Sequence, residues 1–153
     1  MVEGLVQPSR DYDVYCNHRN IFKIGILELI MAHEGIYATL AEIKKKAGNG
    51  VSTLGSDEAY VNQLAKEIEG FVNCLTREDW STNWATYKTT ATGLLTEIET
   101  NYCGFFMIAF DNAGYGSQRE AENLMNTCWA RFIQCIGLIK NQETVTWMKG
   151  QTV

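Results

Sequence analysis

The apolar positions of this chain recur mostly at helical spacing. Val61, Leu64, Ile68, Phe71 and Leu75 follow one another at steps of 3, 4, 3 and 4, with Lys66, Glu67 and Glu69 on the opposite side. This predicts an amphipathic bundle helix. Ser56, followed by Asp57 and Glu58, supplies its start, because a hydroxyl caps free N–H groups and acids favour the positive end of the helix dipole. A second stripe, Trp80, Trp84, Tyr87, Ala91, Leu94 and Ile98, steps by 4, 3, 4, 3 and 4 and predicts a helix capped by Thr76. Its other side carries Thr82, Asn83, Thr86, Thr89, Thr96 and Asn101, mediocre helix formers, so packing must hold it. The broadest stripe runs from Ala121 through Cys128, Phe132 and Cys135 to Ile139 behind Ser117-Gln-Arg-Glu120, which matches a capping box.

Other stretches are shorter or more ambiguous. Residues 19–33 are apolar nearly all round and predict a helix central to the fold or covered by another chain, although Phe22, Ile24 and Ile26 also alternate as in a strand. After a break at Gly35, Tyr37, Leu40 and Ile43 predict a short helix that stops at Gly48-Asn-Gly50. Residues 102–112 fit a short buried helix after a kink at Gly104, or a strand, and helix is preferred because no second convincing strand could pair with it. A last short helix spans residues 144–148. The expected fold is therefore all-α: an antiparallel bundle of about four long helices plus short helices. Residues 1–18 form an expected N-terminal arm, 19–149 the helical-bundle domain and 150–153 a C-terminal tail.

Composition narrows the class. With 153 residues, 46% hydrophobic and 20% charged, the chain reads as a single globular domain that needs no metal or disulfide to fold. A net charge of −5 argues against a nucleic-acid partner held through phosphates. The one basic run, Lys44-Lys45-Lys46, falls where a helix should end and cations are favoured. Cys16, Cys74, Cys103, Cys128 and Cys135 are odd in number and dispersed, as expected of reduced, mostly buried residues. No secretory signal is expected, and the apolar stretches 24–32 and 104–110 are too short or too interrupted to span a bilayer. A cytoplasmic or virion location follows.

Each candidate for chemistry is incomplete. Cys16-Asn-His18 with His33 lacks the further ligands of a metal site, and the chain has no Glu-x-x-His pair for di-iron chemistry. Cysteine–histidine catalysis has only His18 and His33 to draw on. The glycine loops at 48–52 and 114–117 precede helices but lack the endings of phosphate- or dinucleotide-binding motifs. Glu97 and Glu99, like Glu120 and Glu122, point to opposite sides of a helix and read as solvated charges. No catalytic, cofactor or metal residue is expected.

The aromatic residues carry the functional expectation. Trp80, Trp84, Trp129, Trp147, Tyr87, Tyr102 and Tyr115 are many large rings for a chain whose stripes already supply Leu, Ile and Val, and they read either as core packing or as subunit contacts. Such residues concentrate in subunit contacts. The expected function is a non-enzymatic structural or assembly subunit, packing with itself or other structural proteins into an oligomer. A virion component such as a phage head-to-tail connector or capsid-associated protein is one such subunit. Trp80, Trp84 and Trp147 are the candidate interface residues. The alternative is a bundle, binding protein or enzyme, with a pocket for a small molecule or peptide lined by Trp84, Tyr87, Phe106 or Trp129.

Overall fold

The computed structural model describes residues 33–152. The arm and the apolar stretch expected over residues 1–32, with Cys16 and His18, lie outside the described residues. The fold is an all-α antiparallel bundle. Among the described residues it comprises α1 (Leu40–Ala47), α2 (Glu58–Thr76), a 3-10 turn (Trp84–Thr86), α3 (Thr89–Phe110), α4 (Gln118–Ile139) and α5 (Gln142–Lys149). Three helices are long and two short. The sole strand-like pairing among the described residues is an isolated bridge between Tyr87 and Thr152.

Helix α3 is the axis, packed against α1, α2 and α4. Four consecutive residues, Ile98 to Asn101, are buried, so α3 is covered on every side there. Its 22 residues carry only two charges, Glu97 and Glu99. Two apolar cores are strung along it. Leu95 and Ile98 join Ile68, Val72, Trp80 and Ile136 in the first; Cys103, Met107 and Ile108 join Ile43, Val61 and Leu64 in the second. Each fully buried Ile, Leu or Met contributes roughly 1.5–3 kcal/mol. Between the cores α3 presents Glu99, Thr100 and Asn101, a buried polar layer.

Helix ends follow the local chemistry, with shifts from expectation. Asp57 rather than Ser56 caps α2, accepting from the Tyr60 N–H at 3.1 Å. Ser117 caps α4 as expected, but Glu120 accepts from the Gly116 N–H rather than that of Ser117. The complete capping box belongs to α1, where Thr39 and Glu42 satisfy each other's backbone N–H groups. Lys44, Lys45 and Lys46 occupy the last turn of α1, and Gly48 ends it at φ 83°, a conformation open to glycine.

The helix expected to start at Thr76 is corrected. Thr76 ends α2 instead, Arg77 turns left-handed at φ 57°, and α3 begins only at Thr89. Side chains in this segment divert the backbone from a helix. The Trp80 indole donates to Thr76 Oγ1 at 2.9 Å and its amide to Asn73 Oδ1 at 3.1 Å, while Asp79 Oδ1 accepts from the Thr82 N–H. Beyond Gly104 there is neither a kink-and-restart nor a strand, since α3 runs unbroken to Phe110. Gly104 serves close packing there, because a Cβ would lie 3.3 Å from Lys46 Cβ on α1. Residues 150–152 are also more than a tail: Gln151 accepts from the Lys88 N–H at 3.0 Å.

The two glycine loops pack on one another. A Cβ on Gly114 would overlap the Gly50 carbonyl, and the Tyr115 hydroxyl donates to the Ala47 carbonyl at 2.6 Å, closing the end of α1. Their glycines serve this close approach.

Candidate functional site

The polar layer of α3 holds the segment from His33 to Thr39 against the bundle. Asn62, Glu69 and Asn73 on α2 lie at steps of 7 and 4, on one helix face, and Thr96 and Glu99 reach the segment from α3. Asn62 Oδ1 accepts from the Glu34 N–H at 2.9 Å and lies 3.0 Å from His33 Nδ1. Glu69 accepts from the Ile36 N–H and Glu99 from the Tyr37 N–H at 3.0 Å. Thr96 donates to the Tyr37 carbonyl at 2.6 Å, and the Tyr37 hydroxyl donates to Asn73 Oδ1 at 2.7 Å. The segment lacks secondary structure of its own, so these side chains do the work of a ladder.

Glu99 corrects the expectation of a solvated charge: it is fully buried. Among the described residues, its Oε1 is the one buried side-chain oxygen or nitrogen without a hydrogen-bond partner, and it lies 3.9 Å from His33 Nε2. Burial first, and then the charge of Glu69, push its carboxyl up to about 8. Burial also raises Glu69. Glu97, two residues away, behaves oppositely. Its partial burial is outweighed by hydrogen bonds from Lys46, at 2.9 Å, and from Asn101, and its carboxyl falls below the usual range.

Outside this layer lies an open-sided cavity of about 560 Å³, lined among the described residues by His33 to Leu40 with Glu34 excepted, by Glu42, by Trp84, Ala85 and Tyr87, and by the first turns of α3. Trp84 stacks on Tyr37 with ring centroids 5.2 Å apart, and Tyr87 and Thr92 stand beside it. Of the residues expected to line a pocket, Trp84 and Tyr87 are here; Phe106 and Trp129 are elsewhere.

Those two belong to an aromatic surface on α3 and α4. Tyr102, Phe106, Phe105, Trp129 and Phe132 form a closed circuit in which each ring contacts the next, at centroid distances of 4.8, 5.1, 5.0, 5.2 and 5.4 Å. The circuit is open to solvent on its outer side, where Trp129 is 41% exposed. Phe71 sits with Tyr102 and Phe132 around a shallow hollow, and Ile133 on α4 is half exposed.

The three tryptophans singled out from the sequence occupy three different environments. Trp80 is completely buried and offers no surface to a partner, Trp84 is half-buried in the cavity wall, and Trp147 on α5 is 54% exposed. The residues not anticipated were Glu99, Glu69 and Asn62, and the exposed Phe71 and Ile133. Cys103, Cys128 and Cys135 are buried as expected, and burial raises all three thiols; Cys74 is exposed. Among the described residues no three His, Cys, Asp or Glu side chains are grouped to hold a metal, and no helix is long and apolar enough to cross a membrane. No family model, curated protein or solved structure matches this chain.

Proposed function

We propose that the chain is a non-enzymatic assembly subunit that associates through the aromatic surface of α3 and α4, with copies of itself or with other structural proteins. The observation that supports this is the closed circuit of five rings with Trp129, Phe71 and Ile133 open to water. Apolar side chains grouped in this way are costly to leave hydrated and are typical of contact surfaces. In this reading the chain works inside a larger particle, a virion among them. Trp147 on α5 is a second, separate candidate contact.

Absolute molar mass by light scattering, over a range of concentrations, tests the proposal. The expected result is a mass that rises above the 17.3 kDa of one chain. Trp129→Ser and Ile133→Ser are then expected to return it toward the monomer with helicity unchanged. A monomer at every concentration overturns self-association, and an oligomer indifferent to both substitutions overturns the proposed surface.

A further inference from the structure

The cavity between the 33–39 segment and the start of α3 is lined by aliphatic, aromatic and oxygen-bearing side chains. Trp84, stacked on Tyr37, and Tyr87, packed on Trp80, are aromatic residues of its lining. Thr92 and Thr96 donate their hydroxyl protons to backbone carbonyls, leaving oxygen lone pairs as what they offer a guest. Glu42 contributes a carboxylate, with the capping-box bonds falling on Oε2. Behind the wall, the unpartnered Glu99 Oε1 lies against Gly35 and His33, both of which line the cavity. Among the described residues no Lys or Arg lines it. Away from the α3 N-terminus the wall thus offers acceptors beside aromatic rings, which a donor-bearing cation with an apolar body would satisfy.

We infer that this cavity binds a small primary organic ammonium ion, its apolar part on Trp84 and Tyr87 and its charge toward Glu42, Thr96 and Gly35. The polarity of α3 sets the orientation. Its N-terminus, at Thr89, carries no acid in the first turn and no side-chain cap, so that end of the cavity is electropositive and disfavours the ammonium. The volume suits such a guest, since small-molecule pockets run from about 300 to 1,000 Å³.

Three isosteric probes test the inference: benzylammonium, benzyl alcohol and benzoate, titrated into the full chain and followed by calorimetry and by amide and indole NMR shifts. Benzylammonium is expected to bind saturably, at least about tenfold tighter than either analogue, with shifts confined to residues 35–42, Trp84, Tyr87 and Thr92 to Thr96. Glu42→Gln, which keeps the capping geometry and removes the charge, is expected to weaken it by about tenfold, while Trp147→Ala leaves it unchanged. Preference for benzoate, equal affinity for all three, shifts outside the cavity, or no saturation up to the solubility limit overturns the inference.

Discussion

Glu69 and Glu99 accept hydrogen bonds from consecutive backbone amides, those of Ile36 and Tyr37. Two carboxyl groups from different helices are thereby drawn toward one short stretch of backbone, where the charge of Glu69 disfavours ionisation of Glu99. An extended segment is seated on the bundle by acids that would gain more from water than from one another.

This arrangement sets a pH dependence of stability. The Glu99 carboxyl stands at about 8 when folded, against 4.5 as its ordinary value. Between those values the folded chain keeps a proton that the unfolded chain has released, so stability falls as pH rises through the window and levels off above it. Glu69, raised by burial, acts in the same direction. Glu97 has the opposite sign: its contribution is complete above its ordinary value and is lost only on further acidification. Urea midpoints are expected to drop between about pH 5.5 and 8.5, and Glu99→Gln, which resembles the protonated acid, to flatten the slope. A midpoint that climbs over this range in the unmodified protein contradicts the assignment.

Gly35 is expected to resist replacement even by alanine. A methyl group there would overlap His33 Nε2 and Glu99 Oε1, and Glu99 is held in the layer between the two cores. Gly35→Ala should destabilise by about 1–3 kcal/mol through overpacking. Thermal denaturation gives the answer, and an unchanged melting temperature would mean the segment can lift away freely.

The tryptophans should separate cleanly by substitution. Trp80→Ala removes a wholly buried ring and its hydrogen bond to Thr76, and is expected to cost about 3–5 kcal/mol. Trp147→Ala removes a ring that is more than half exposed, and is expected to change stability by no more than about 0.5 kcal/mol. Denaturant titration of the two variants side by side decides the matter; similar losses would refute the placement of either residue.

Cysteine labelling gives an independent check of burial. Cys74 is exposed, whereas the buried thiols of Cys103, Cys128 and Cys135 are held protonated by burial. Brief treatment of the native protein with iodoacetamide, followed by peptide mass mapping, should find Cys74 alkylated and these three untouched. Rapid labelling of Cys103 would be incompatible with its place in the second core.

The sequence revealed the helices more readily than the site. Val61, Leu64 and Ile68 declared α2 because their neighbours on the other side are charged, and Ser117 marked the start of α4. The stripe through Trp80, Trp84 and Tyr87 misled because three aromatics at helical steps were instead placed by individual contacts: an indole on Thr76, a ring stacked on Tyr37 and a backbone bridge to Thr152. Thr39-Leu-Ala-Glu42 carried the capping-box pattern in plain view. Glu99 was harder, because opposing directions for Glu97 and Glu99 imply solvent only if one side of the helix is wet. The available signal was the scarcity of charge along α3, which leaves no charged face for water.

The pairing of Tyr87 and Lys88 with residues 151 and 152 bears on how the chain folds during its synthesis. The strand-like closure joins positions far apart in sequence, and such contacts form late because the intervening loop must first be ordered. A nascent chain can assemble α2, α3 and α4 in succession while the wall carrying Tyr87 still lacks its backbone partner. Chains from which only residues 151–152 have yet to emerge should therefore have a formed bundle and an unfinished cavity wall.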